Sequence, residues 1–316
     1  MHSLPDLPDV AAFRAWRRDP SHWLPAALDI ARERGLPHAD PLPFLTGTNL
    51  VVALDQRLVL KIFPPALRDQ FISERASLMQ LCGRVSVAIP EIVLEGERDR
   101  WPYLVITRLH GVLGAEAWPA LPEEQKLRVL AQIGATIAEV QRVPLGDLAC
   151  IEPRWDRFMR RQIEGCRARH ARLGLPEKYL RGFDDWLVEA AALIPMHAPP
   201  VILTGEYIPE NFLLSDGPTG WRLSGLIDFG DVLTGWGEYD LLGPSAFMTA
   251  GMPKRVQSLF EGYGYSNADV GPVLQRRLLA LLLLHRASDP VRHIAIAGWQ
   301  VKTDSLSELA ALLWPI

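Results

Sequence analysis

The stretch from Val201 to Asp240, VILTGEYIPENFLLSDGPTGWRLSGLIDFGDVLTGWGEYD, constrains this chain most. Phe212-Leu213-Leu214 is a short apolar run, and Asp216-Gly217-Pro218-Thr219-Gly220 is dense in turn-forming residues. Trp221 to Ile227 is a second strand-like run. The pattern predicts a hairpin with polar clusters at both open ends: Glu206 and Asn211 before it, Asp228 and Asp231 after it. A hairpin brings its open ends together, so Glu206, Asn211 and Asp228 are expected to converge on one small volume.

Carboxylates and an amide at one point call for a counter-charge. A carboxylate with an amide oxygen suits a hard cation such as Mg²⁺, which takes few protein oxygens and fills its remaining sites with water and phosphate. A second carboxylate, off the metal, can orient or deprotonate a hydroxyl. Together these are the parts of phosphoryl transfer from a nucleotide. Protein kinases place an Asn five positions after the catalytic Asp, and Asp-Phe-Gly later. Glu206, Asn211 and Asp228-Phe229-Gly230 keep that order and that first spacing, with Glu at the catalytic position. Asp-Phe-Gly alone is a common turn tripeptide and a lone Asn a common turn residue; it is their combination that points to chemistry.

Bulk composition narrows the class. With 316 residues, 48% of them hydrophobic, the chain can bury a sizeable core and form two lobes. A net charge of −4 argues against a nucleic-acid binder and is compatible with a cationic ligand. Cys82, Cys150 and Cys166 are scattered, with neither metal spacing nor an even count, which reads as a reducing compartment. The N-terminus has no signal-peptide apolar segment, and the run Leu278–Leu284 is too short to span a bilayer. A cytoplasmic monomer with no membrane partner is expected.

Taken in order, residues 1–40 have amphipathic helical periodicity, carried by Phe13, Trp16, Trp23, Leu24, Leu28 and Ile30 and broken at Asp19-Pro20. Residues 41–109 are β-rich. Asn49–Leu54 and Leu58–Phe63 read as a hairpin, and Ala88–Leu94 with Trp101–Thr107 as another, turning over Gly96–Arg100. Lys61 sits mid-strand among apolar residues, where a Lys is costly unless paired or able to snorkel out. Phe71–Met79 is helical, with Glu74 near its middle as the candidate partner; alone, Glu74 would read as a solvated helix face. The turn holding Gly47 and Thr48 is not a G-x-G-x-x-G loop, yet its backbone N–H groups could cover phosphates. The backbone of Ile106 to Arg108, at the connector, could meet an adenine edge, whereas His110 reads as a surface side chain.

Residues 110–316 are mainly helical. Leu127, Leu130, Ile133, Ile137 and Val140 form the core stripe of a helix over 122–143, and a basic helix is expected over 155–170. Asp184, Asp185, Glu210, Asp231 and Glu238 could meet ammonium groups of a substrate, though each alone reads as a solvated or structural carboxylate.

Several motifs together resemble the aminoglycoside phosphotransferase family, which shares the protein-kinase-like fold. They are Val59-Leu60-Lys61-Ile62-Phe63, Glu74, Trp101-Pro102-Tyr103-Leu104-Val105, Gly205-Glu206 with Asn211, Leu226–Val232, and Tyr239-Asp240, over roughly residues 40–245. The N-terminal helices and the tail, with His285 and Trp314, look most like the hygromycin B kinases of that family. The resemblance implies an α+β, two-lobed fold with a small antiparallel β lobe and a larger, mainly helical lobe. It implies an ATP- or GTP- and Mg²⁺-dependent transferase acting on a hydroxyl of a small, aminoglycoside-like molecule. Lys61 would hold the α/β-phosphates, Glu74 would orient it, Glu206 would stand as the base, Asn211 and Asp228 would hold Mg²⁺, and Asp240 would brace the catalytic loop. The family usually has His-Gly-Asp where this chain has Thr204-Gly205-Glu206. Glu is one methylene longer than Asp, and misplacement near 1 Å can cost about a hundredfold in rate. Two alternatives follow: a small-metabolite kinase of choline, sugar or amino-alcohol type, and a nucleotide-binding protein with weak or no transfer. The absence of an Ala-Pro-Glu segment disfavours a protein kinase.

Overall fold

The computed structural model describes residues 2–266 and 268–315. The chain forms two compact units. The first comprises Met1–Gly83, Ala88–His110 and the short Leu226–Asp231 segment, and the second takes the rest.

The first unit is built on five antiparallel strands: β1 (Leu42–Phe44), β2 (Leu50–Ala53), β3 (Leu58–Ile62), β4 (Ile92–Arg98) and β5 (Trp101–Thr107). Their order is β1-β2-β3-β5-β4, which places β3 at the centre, with Lys61 opposite Val51 on one side and Leu104 on the other. One sheet face packs on the N-terminal helices Val10–Trp16 and Leu24–Glu33, where Phe13, Trp23, Ala27 and Ile30 meet Leu50, Leu60, Trp101 and Tyr103. Fully burying such large side chains contributes roughly 1.5–3 kcal/mol each, so the predicted amphipathic helices cover a sheet face. Asp9 caps the first helix by accepting from the Ala12 N–H. The turn expected over Gly96–Arg100 is shorter than that: Asp99 and Arg100 both take positive φ (52° and 70°). A two-residue hairpin turn of this hand requires φ > 0 at both central positions. Gly96 instead lies within β4, where an added Cβ would fall 2.4 Å from the Tyr103 hydroxyl oxygen.

The second unit is centred on the helix Glu123–Arg142, whose Leu130, Ile133, Ile137 and Val140 are fully buried. It packs very closely on the helix Pro253–Tyr263. A Cβ at Gly134 would sit 2.2 Å from the Leu259 carbonyl oxygen, and one at Gly262 would sit 2.1 Å from that of Ala131. The strands β6 (Val112–Leu113), β7 (Val201–Leu203), β8 (Phe212–Ser215), β9 (Arg222–Leu226) and β10 (Leu233–Gly235) form a β6-β8-β9 sheet and a β7–β10 pair. The helix expected over 155–170 is two, Trp155–Ile163 and Cys166–Arg172, because Gly165 between them takes a left-handed φ of 70°. Pro272–Leu284 is wholly apolar from Leu278 onward and packs against Leu306–Leu313. Among the described residues no helix is long and apolar enough to cross a membrane.

Candidate active site

In the first unit, Lys61 is almost fully buried, and its Nζ lies 2.5 Å from Glu74 Oε2 and 2.8 Å from Asp228 Oδ1. Three parts of the chain supply the cluster. Central β3 gives Lys61, the helix Arg68–Leu81 gives Glu74, and Leu226–Asp231 brings Asp228, which is 167 positions from Lys61. Asp228 takes a φ of 66°, uncommon outside glycine and characteristic of residues held in place by their surroundings. Close beside it an added Cβ at Gly230 would press on Gln70.

Electrostatics fix the charges. Burial alone would depress Lys61, but Asp228 and Glu74 overcome it and raise its pKa, so the ammonium is permanent. Burial would raise Asp228, but Lys61 holds it below the usual carboxylate range. Burial pushes Glu74 up to about 7 while Lys61 pulls back. Asp231 adds to the negative field at Glu74. Gln70 links this corner: its Oε1 accepts from Asn49 Nδ2 at 3.1 Å, and its Nε2 donates to Asp231 at 3.4 Å. The cluster therefore holds more carboxylate than cation.

The turn with Gly47 and Thr48 is anchored by Arg17, a residue not singled out in the sequence. Its guanidinium donates to the carbonyls of Leu45, Thr46 and Asn49 at 3.0–3.3 Å. Gly47 has a φ of 83° and open space where a Cβ would stand, so its backbone is accessible. Ile106 is paired in the sheet with Val59 and Ile92. The Thr107 N–H donates to Glu91 and that of Arg108 to Arg57. These two donors are spent within the unit, so any adenine contact from this segment falls to other backbone groups.

In the second unit, Glu206 and Asn211 share one loop. Asn211 Nδ2 donates to the Glu206 carbonyl at 3.1 Å and lies 3.4 Å from Glu206 Oε2. That orientation commits the amide nitrogen to the loop and turns Oδ1 away from it. Asp240 braces the same loop by accepting from the N–H groups of Thr204 (3.0 Å) and Gly205 (2.8 Å). Burial pushes the Asp240 carboxyl up to about 7 against those two N–H groups and Arg286. His285, the polar residue that follows the helix Pro272–Leu284, completes the brace. Its Nδ1 accepts from the Ala287 N–H, so its Nε2 carries the proton and donates to the Gly205 carbonyl at 3.3 Å. The ring stacks on Tyr239 at 4.6 Å, and burial holds its pKa down to about 4. In the sequence the signal for this role is a polar residue directly after four leucines. Thr204 Oγ1 has no hydrogen-bond partner among the described residues.

The remaining candidates have different surroundings. Glu238 does not serve a substrate: it is 1% exposed, its carboxylate is clamped by Arg277 at 2.5–2.6 Å, and Tyr265 donates to it at 2.6 Å. A carboxylate with both oxygens committed inside the core has nothing left for a ligand. Asp231 lies in the same unit as Lys61. Glu210 is exposed on the turn Pro209–Asn211, and Asp184 and Asp185 are exposed on the helix Phe183–Ala191. His110 is exposed, as expected. Next to the Glu206 loop is a cavity of about 200 Å³, also within the second unit.

Among the described residues no three His, Cys, Asp or Glu side chains are grouped to hold a metal ion. Mg²⁺ asks for less, one or two protein oxygens with phosphate and water completing the octahedron, and the Asp228 carboxylate and the Asn211 amide oxygen are donors of that hard type.

A buried Lys paired with a helical Glu, a left-handed Asp before Phe-Gly, and a braced carboxylate–amide loop are parts that a nucleotide-dependent phosphotransferase would use. Residues 47–278, well over half of the chain, match the phosphotransferase enzyme family, APH. The chain belongs to this family and phosphorylates hydroxyl groups. Its α+β fold, a small antiparallel sheet lobe with a helical lobe, is shared with solved aminoglycoside phosphotransferases. The GDP complex of wild-type aminoglycoside 2'-phosphotransferase-IIIa matches with a TM-score of 0.64 at 18% identity, over 92% of this chain and 96% of that one. A thermostable mutant of APH(4)-Ia matches with 0.60 at 16%, over 90% and 96%. APH(3'')-Id from Streptomyces rimosus matches with 0.58 at 17%, over 83% and 98%. At such identities the likeness establishes fold alone.

Proposed function

We propose that the chain transfers the γ-phosphoryl group of ATP or GTP to a hydroxyl of a small, polar, amine-bearing acceptor in the cytoplasm, acting as a monomer. The observation that carries the reading is the Lys61–Glu74–Asp228 cluster: a permanently charged ammonium held between two carboxylates, with excess carboxylate charge that Mg²⁺ would balance while the ammonium meets phosphate oxygens. Lys61 would bind phosphate oxygens, with Glu74 fixing its position and the Gly47–Thr48 turn covering the phosphates. Asp228 and Asn211 would hold Mg²⁺, which supplies charge neutralisation at the phosphates when bound.

Glu206 would accept the acceptor's hydroxyl proton. The acceptor oxygen bonds to the γ-phosphorus, the bond from that phosphorus to the β–γ bridging oxygen breaks, and nucleoside diphosphate leaves. The loop that carries Glu206 is held at three backbone groups by Asp240 and His285. Such a brace gives the longer side chain one defined origin, which supports an active enzyme over a silent binder.

For the acceptor, aminoglycosides are the first class, hygromycin-type ones included. Structures of this fold have been solved with kanamycin and with gentamicin. Glu210 remains a candidate contact for an amine. The small-metabolite reading, for an amino alcohol, is favoured by the modest size of the cavity beside Glu206. The test is a transfer screen with MgATP and MgGTP against aminoglycosides, sugars and amino alcohols, with Glu206→Gln as control. A phosphorylated acceptor with a rate lost in Glu206→Gln supports the reading; full rate in Glu206→Gln removes Glu206 from its role.

A further inference from the structure

The cavity beside Gly205 and Glu206 has an unusual lining for a site meant for a polycation. Its wall is mostly apolar, with Ile208, Leu242, Ala246, Leu282 and Ile294 among the lining residues. Phe247, also in the lining, is 38% exposed although large and apolar. Its ring stands 5.3 Å from that of His293, giving an aromatic wall. Phe247 lies on a π-helical turn, Ser245–Thr249, a rare conformation that clusters at functional sites.

Two polar groups interrupt the apolar lining apart from Glu206 and the histidines. Ser288 is 8% exposed, and its Oγ has no hydrogen-bond partner among the described residues. A buried hydroxyl left without a partner is costly, and a ligand group can satisfy it. Asp289 Oδ1 caps the turn Pro290–His293 by accepting from the Arg292 N–H at 3.2 Å. Among the described residues no cationic side chain forms a salt bridge with Asp289. A carboxylate in an apolar pocket without a resident cation favours a cationic ligand.

Size sets the scale. A cavity near 150 Å³ holds a benzene ring, so about 200 Å³ accommodates one ring or a short branched chain with its substituents. Several linked rings would have to stay outside it.

We propose that the acceptor is a compact amphiphilic amino alcohol, with one apolar-faced ring or branched chain against Phe247 and Ile294 and a single ammonium group on Asp289. The inference rests on the phosphotransfer reading and takes its second acceptor class, the amino alcohols, in place of the aminoglycosides. Apolar contact selects the body, Asp289 the amine and Ser288 a polar substituent, while Glu206 faces the hydroxyl that reacts. A polycation gains little here, because its further charges would be desolvated against aliphatic walls.

The test uses the full chain, 2-amino-1-phenylethanol, its deaminated analogue 1-phenylethanol, and kanamycin. Binding is titrated calorimetrically, and transfer is followed with MgATP and MgGTP. Asp289→Asn keeps the helix cap, since Asn caps as well as Asp, and should weaken the amino alcohol at least tenfold while leaving 1-phenylethanol unchanged. Phe247→Ala should weaken both. No binding of the amino alcohol, equal binding by Asp289→Asn, or tighter binding and faster transfer with kanamycin would each overturn the proposal. Asp289-dependent binding without transfer, under conditions that saturate the nucleotide, would uphold the pocket and count against phosphotransfer to this class. Transfer to kanamycin with no binding of the amino alcohol would do the reverse.

Discussion

Lys61 Nζ lies 2.8 Å from Asp228 Oδ1 although 167 residues separate them. The contact ties the central strand of the five-stranded sheet to the segment after the β8–β9 hairpin. Glu74 occupies the other side of the same ammonium. Removing Lys61 would leave Glu74 buried without its cation, and breaking a buried pair in this way costs about 3–5 kcal/mol. Lys61→Met should therefore lower Tm by many degrees and abolish transfer. Lys61→Arg should not restore activity, because a planar fork does not fit a point-charge position. Thermal melts and rates on both variants check this.

Glu206 should behave as a base and not as a metal ligand. Glu206→Gln should lower kcat by about 10²–10⁴, the usual contribution of a positioned general base, with nucleotide affinity unchanged. The brace at Thr204 and Gly205 sets the backbone for a Glu, so Glu206→Asp, one methylene short, should lose about a hundredfold. Steady-state kinetics with nucleotide titrations separate the two effects.

Asp240 should give the rate an acid limb. Its carboxyl is pushed up to about 7, chiefly by burial. Below that pH it takes a proton and can no longer accept equally from both N–H groups of the loop. Transfer should decline as pH falls through about 7, and Asp240→Asn should be slow and lack that inflection. The same raised pKa means that proton uptake favours the folded state: this contribution to stability is present at low pH and is lost as pH rises through about 7.

His285 has the opposite sign. Burial holds it near 4 in the folded chain, against an ordinary value of about 6.5. The unfolded chain binds the proton more readily between those values, so the stability linked to His285 is full above about 6.5 and lost as pH falls toward 4. The loss is on the order of 3 kcal/mol. His285→Gln should flatten that part of the profile; denaturant titrations at pH 6.5 and 4.5 on both proteins measure the difference.

Glu238 tests the core. Its charge is sequestered with Arg277 and Tyr265, so Glu238→Ala should destabilise by about 3–5 kcal/mol. Acceptor KM in the folded fraction should not change. A selective rise in KM without loss of Tm would return Glu238 to the substrate.

How much of this was written in the chain varies with the kind of interaction. Lys61 and Glu74 were legible because a charged residue inside an apolar strand demands a partner, and the helix that follows offered one. Asp228 was legible through its tripeptide and its order after Glu206 and Asn211. The first helices were legible from their amphipathic periodicity, with Phe13 buried on Val10–Trp16 and Ile30 on Leu24–Glu33. For Glu238 the sequence leaves a substrate contact and a solvated or structural carboxylate both open; only the fold brings Arg277 to it from 39 positions away and favours the structural one. Arg17, Gln70 and His285 were silent for the same reason, as each acts on backbone or side-chain groups distant in sequence. The break at Gly165 and the turn at Asp99-Arg100 depend on φ values that tertiary packing decides.

The most direct test of the central claim is nucleotide affinity with and without magnesium. Titration of ATP and GTP analogues into the wild type should show tight, Mg²⁺-dependent binding. Asp228→Asn should lose the Mg²⁺ dependence, and Lys61→Met most of the affinity. Binding of equal strength in all three proteins, indifferent to Mg²⁺, would contradict the assignment of Lys61 and Asp228 to a metal–triphosphate site.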